Sequence, residues 1–114
     1  MQYLALIHAD QDGWEALGEE ERQAITKRYM DFSENEKVVG GAELEDTDAA
    51  TTVRVRNGER LVTDGPYAEV KEALGGFFIL ECDSIDEACQ LAAAIPAAER
   101  GAVEVRPVYV REES

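Results

Sequence analysis

Histidine is nearly missing from this chain: His8 is the only imidazole in 114 residues. Cysteine is scarce as well. Cys82 and Cys89 stand seven apart, which is no zinc-ligand spacing, and one histidine cannot complete the set, so a structural metal site lacks ligands. Cations are few, with 11 Lys and Arg against 25 Asp and Glu for a net charge of −14, and they are scattered along the chain. A nucleic-acid binder needs them clustered to neutralise phosphates, so direct DNA or RNA binding is not expected. The same acidity disfavours anionic membranes, and no run approaches the ~18 apolar residues of a membrane span. Met1–Ile7 has neither a basic leader nor a small-residue cleavage site and reads as a first strand, not a signal peptide. The expected compartment is the cytoplasm, with both cysteines reduced in the core. Phosphate loops, dinucleotide fingerprints and nucleophile elbows are absent too, which leaves cofactor-free chemistry or simple ligand binding.

What is present suits one globular domain over residues 1–114, long enough for a single core, with a polar tail at about 110–114. Residues 2–8 open with an apolar run that has no polar face, the pattern of a strand buried on both sides. From about Trp14 to Val39 the spacing of Leu17, Ile25, Tyr29 and Phe32 predicts a helix, with Glu19, Glu20 and Glu21 at its positive end and Gly40-Gly41 as its stop. Thr51–Arg56 alternates with period two, and Asn57-Gly58 predicts a two-residue hairpin back through Arg60–Thr63. Residues 77–82 form another strand that is apolar on both faces. Ser84 followed by Glu87 makes a capping box for a helix running to Ile95, where Pro96 ends it. Val103–Val108 is the last strand.

This order, β-α-β-hairpin-β-α-β, predicts an α+β ferredoxin-like sandwich with a β-hairpin insertion and both helices on one face of the sheet. The apolar second face then calls for a second copy of the chain. Two sheets packed face to face would enclose a shared cavity, and a homodimer is expected.

The most informative stretch is Thr63–Phe77, which packs four charged side chains and three glycines between two strands. A plain hairpin needs only about two to five loop residues. Asp64, set by the Gly65-Pro66 turn with Gly65 extended, is either a general base at the mouth of a cavity or a cap on the loop backbone. Lys71 is placed to pair with Glu69 or Glu72, or to hold a substrate anion; a solvated charge cluster is the alternative. Gly75-Gly76 suggests a bulge or close backbone approach, with N–H groups that could bind an oxyanion. His8 is either a hydrogen-bonded strand-end residue or the proton-transfer group, because imidazole is the one side chain type suited to proton transfer near neutrality. Tyr67 lines a pocket or packs.

The run Asp64-Gly65-Pro66-Tyr67-Ala68-Glu69, then Lys71-Glu72 and Gly75-Gly76-Phe77, resembles the DGPF-motif branch of the YCII-related domain family. The similarity extends over nearly the whole chain, although Tyr67 stands where the family usually has Phe. The resemblance implies a dimeric α/β barrel of ferredoxin-like protomers. The histidine of the first helix and the aspartate before a proline, proposed as an enzymatic pair in the founding branch, have no counterparts here: the first helix holds no histidine and Ile95 precedes Pro96. DGPF-branch domains also occur fused to, or encoded beside, extracytoplasmic-function sigma factors, which implies a sigma-factor partner and a role in transcription regulation as the competing function.

The expected function is therefore a homodimer whose cavity binds a small, partly apolar molecule, with isomerase-like proton transfer if it is an enzyme. Asp64 or His8 would act as base, Lys71, Tyr67, Glu69, Gly75 and Gly76 would contact the ligand, and no metal or cofactor is expected.

Overall fold

The computed structural model describes residues 1–112, so residues 113 and 114 of the expected tail lie outside the described residues. Strand β1 (Gln2–Ala9) alternates as its pleat requires. Tyr3, Ala5 and Ile7 are buried, while Leu4, Leu6 and His8 on the other face are half-buried. The predicted long helix is two: α1 (Gln11–Glu15), capped by Asp10 Oδ1 accepting from the Asp12 N–H, and α2 (Glu19–Ser33).

Helix α2 also ends earlier than the glycine pair suggests. Asn35 turns the chain: its side chain accepts from the Lys37 N–H at 2.9 Å and its carbonyl accepts from Val38. Gly40 and Gly41 lie inside β2 (Val38–Glu43), where a β-carbon on Gly41 would strike the Phe77 carbonyl oxygen. These glycines serve close strand packing and not helix termination.

Past a short 3-10 turn come β3 (Thr51–Arg56) and β4 (Glu59–Asp64), joined by Asn57 and Gly58 at φ 53° and 76°. Both angles lie in the left-handed region that a two-residue hairpin turn requires. Then follow β5 (Ala73–Glu81), α3 (Ile85–Ala92), α4 (Ala97–Arg100) and β6 (Ala102–Pro107). The Ser84 hydroxyl oxygen caps α3 by accepting from the Glu87 N–H at 3.1 Å, and the Glu87 carboxylate reaches back to the Asp83 N–H.

Four strands form one sheet in the order β2-β5-β1-β6, antiparallel throughout. The helices lie on one of its faces. Tyr29 and Phe32 of α2 pack on Phe78, with ring centroids 6.5 and 4.9 Å away, and Ala88, Ala92, Ile95 and Ala97 complete a core with Tyr3, Ala5, Ile7, Leu80 and Cys82. Cys89, expected in that core, is exposed.

The expected fold class is corrected here. In place of a ferredoxin-like sandwich pairing as a dimeric α/β barrel, the chain builds two separate antiparallel sheets in a mixed α/β arrangement. Among the described residues neither closes: β3 and β4 pair only with each other, and β2 and β6 remain the edges of the larger sheet.

Candidate functional site

The open face of the larger sheet carries the site. Register places Leu4 beside Ile79 and Leu6 beside Phe77, so these four side chains form an apolar row opposite the helices. All four are half-buried by one another. His8 continues that face at the end of β1. Across β6, Leu6 pairs with Glu104 and His8 with Ala102, which sets Glu104 diagonal to His8 on the same face. His8 Nε2 stands 3.2 Å from Glu104 Oε1. Their side chains are 31% and 50% exposed, so solvent screens the pair and its worth lies in orientation more than stability. With the hydrogen on Nε2 donated to Glu104, Nδ1 keeps its lone pair and can accept a proton.

A bulge completes this corner. Ile7 pairs with Gly76 but His8 pairs with Leu74, which leaves Gly75 without a partner on β1 and brings Leu74 beside His8. The Gly75 carbonyl accepts from the Leu44 N–H at 2.9 Å, and the space where its side chain would stand is open. Gly76 is different: it is buried, and a β-carbon there would come within 2.8 Å of the Ala42 oxygen. Glu72 also reaches this corner, its Oε2 lying 3.2 Å from where a Gly101 β-carbon would be, next to the His8 carbonyl.

Asp64 is elsewhere. It is the last residue of β4, opposite Thr51, in the smaller sheet. The turn after it is firmly held: the Gly65 N–H donates to the Ala50 carbonyl at 2.7 Å, and the Thr52 hydroxyl donates to the Gly65 carbonyl at 2.7 Å. Gly65 adopts φ 101°, a left-handed value, not the extended geometry expected from Pro66. Among the described residues the Asp64 carboxylate accepts no hydrogen bond, so the capping contact that competed with its functional reading is not made. Tyr67 is 81% exposed. Glu69 and Lys71 are exposed, and among the described residues neither makes an ion pair.

The structure thus brings His8, Leu74, Gly75 and Gly76 together and leaves Asp64 at the end of β4 and Tyr67 in the loop that follows it. Glu104, the carboxylate that accompanies His8, was not singled out by the sequence, and Glu72 was read only as a partner for Lys71. The alternation of Val103-Glu104-Val105-Arg106 marks Glu104 as outward-facing but says nothing of its cross-strand neighbour. Two surface hollows lie away from this corner, one of about 380 Å³ between Trp14 and Met30 and one of about 370 Å³ along Val38–Gly41 and Phe78. His8, Asp64, Tyr67, Glu69, Lys71, Gly75 and Gly76 line neither. Among the described residues no cluster of three or more His, Cys, Asp or Glu could hold a metal ion, and no helix is long and apolar enough to cross a membrane.

The YCII-related domain matches residues 1–112 of the chain. The chain belongs to the YCII-related family. An uncharacterized protein of Rhizobium meliloti (strain 1021) is 36% identical over 117 residues, an overlap covering 95% of this chain and 92% of that protein. The expected role in transcription regulation has no counterpart in the structure or in these YCII-family matches, and it is set aside.

Proposed function

We propose that this YCII-related protein, as a member of the DGPF-motif branch, binds a small, partly apolar molecule on the open face of the larger sheet and moves a proton on it. The observation that carries this reading is the His8–Glu104 pair at the end of the Leu4, Leu6, Phe77 and Ile79 row. The row supplies an apolar seat and the pair supplies a base held in one orientation. An enolisable carbonyl compound fits that chemistry. His8 Nδ1 takes a proton from the carbon beside the carbonyl, Glu104 stabilises the imidazolium, and the same proton returns to a neighbouring atom, giving isomerisation. Lys71 offers charge to the developing oxyanion and Gly75 borders the ligand, while Asp64, Tyr67 and Glu69 approach it from the partner copy of the homodimer. The working unit is a cytoplasmic homodimer of one 1–114 domain.

The test is titration of labelled protein with a panel of small enolisable ketones, read by amide shifts and by deuterium wash-in at the carbon. Shifts at Leu4, Leu6, His8 and Ile79 are expected, with wash-in reduced by roughly 100-fold or more in His8→Asn. Shifts confined to other surfaces, or wash-in indifferent to His8→Asn, would overturn the assignment.

A further inference from the structure

Strands β1, β2, β5 and β6 hold a single Lys or Arg between them, Arg106, and the proposed chemistry does not use it. Register sets Arg106 directly opposite Leu4, two residues beyond Glu104 on β6. It therefore stands on the open face, at the end of the apolar row far from His8. The intervening Val103 and Val105 turn the other way and pack on the core. The Arg106 side chain is 69% exposed, and its contact with Glu104, from Nε to Oε2, is 3.9 Å. That is too long for a hydrogen bond. Arg28, Arg56 and Arg100 each donate to an oxygen, whereas among the described residues Arg106 donates to none.

Glu104 thus sits between two groups with unequal claims on it. Its Oε1 lies 3.2 Å from His8 Nε2, while Oε2 faces Arg106 only loosely. The fork of N–H donors on the guanidinium is left to solvent, and such a fork matches a carboxylate in a bidentate pair. We propose that Arg106 selects the substrate: it holds the carboxylate of a short oxo acid whose carbon chain lies along Leu4 and Leu6 and whose enolisable carbon meets His8. Arg106 and His8 flank one carboxylate group, so a ligand a few atoms long spans them. A single guanidinium beside Glu104, in a chain of net charge −14, balances one negative charge and not two. A carboxylate carries one, whereas a phosphate ester carries close to two at neutral pH. What happens to the acid rests on the proton-transfer reading, but capture of its carboxylate needs only Arg106 and the apolar row.

The test compares 4-oxopentanoate, its methyl ester and 3-oxobutylphosphonate as ligands of the labelled full chain, each followed by amide shifts and by deuterium wash-in. The acid is expected to bind roughly tenfold more tightly than the ester, with shifts at Leu4, Leu6 and Arg106. Arg106→Gln removes that preference. Arg106→Lys, which keeps the charge but not the fork, retains part of it, and added salt shrinks it in the parent. Thermal melts of both variants stay with the parent, since the side chain is exposed and donates no hydrogen bond. An ester bound as tightly as the acid, a preference that survives Arg106→Gln, or a phosphonate bound more tightly than the acid would each overturn the proposal. If wash-in is lost in His8→Asn while Arg106→Gln leaves the acid-to-ester ratio unmoved, the carboxylate site falls and proton transfer stands. If the preference depends on Arg106 while wash-in is indifferent to His8→Asn, the carboxylate site stands and proton transfer falls.

Discussion

The Lys37 ammonium donates to Glu87 Oε1 at 2.8 Å, joining the chain ahead of β2 to the first turn of α3. That hydrogen bond, with a further one from the Asp83 N–H, holds the Glu87 carboxyl below the usual carboxylate range, and the same contact raises Lys37. A depressed carboxyl stabilises the fold above its unfolded-state value and loses that contribution as pH falls through the folded value. Lys37 has the opposite sign: its contribution is complete below the ordinary lysine value and is lost as pH rises through the raised one. Urea unfolding of the parent should therefore weaken more steeply than that of Glu87→Gln between about pH 5 and pH 2. Parallel curves would show that the pair is not linked to folding.

The two thiols should separate cleanly. Cys82 is buried, and burial first, then the charge of Glu87, pushes its thiol up, so it stays protonated and shielded at neutral pH. Cys89 is exposed on α3. A chromogenic disulfide reagent is expected to titrate one thiol per native chain and both in urea. Rapid reaction of both in the native protein would place Cys82 outside the core.

Gly101 is where a single methyl should hurt most near the site. A β-carbon there would run into the His8 carbonyl oxygen and lie 3.2 Å from Ala9 Cα and Glu72 Oε2. Backbone cannot move aside as a flexible side chain can, so Gly101→Ala should cost about 1–3 kcal/mol in thermal or urea unfolding and shift the His8 ring signals. An unchanged melt would mean that β1 and the start of β6 are less tightly apposed.

For Asp64 the expected outcome is a tolerant fold. Its carboxylate accepts no hydrogen bond among the described residues, so Asp64→Asn and Asp64→Ala should each stay within about 0.5 kcal/mol of the parent. If the carboxylate serves the ligand, Asp64→Asn lowers binding or wash-in while the melt holds. A loss near 1 kcal/mol in Asp64→Ala, with binding intact in Asp64→Asn, would return Asp64 to a loop-capping role.

Local chemistry was legible in the sequence, and pairing between distant strands was not. The Asn57-Gly58 turn and the Ser84 cap are each settled by neighbours within a few residues, and both are found where the residues indicate. Gly40-Gly41 misled because the demand for glycine comes from β5, some 37 residues away, and not from the helix before it. The missing barrel has a similar cause: residue patterns give strand faces but not which edges meet. His8 was visible as a lone imidazole, yet Glu104 is 96 residues further on, and only the β1–β6 register puts the two side by side.

The unpaired Gly75 has a consequence for how this corner of the molecule could be rebuilt. Side chains on a strand alternate with period two, so one surplus residue acts as a half-cycle phase shift. Leu74 points to the open side only because Gly75 is left out of the pairing; with Gly75 paired it would sit opposite Ala9 and turn toward the helices. The aim of everything upstream, the whole 65–72 segment included, is thus written in β5 at a position that has no side chain. Deleting Gly75 would straighten the ladder and leave Leu74 opposite His8, whereas pairing Gly75 into the ladder would turn that whole segment toward the helices, so what His8 faces is set by whether this residue joins the ladder and not by any side chain it carries.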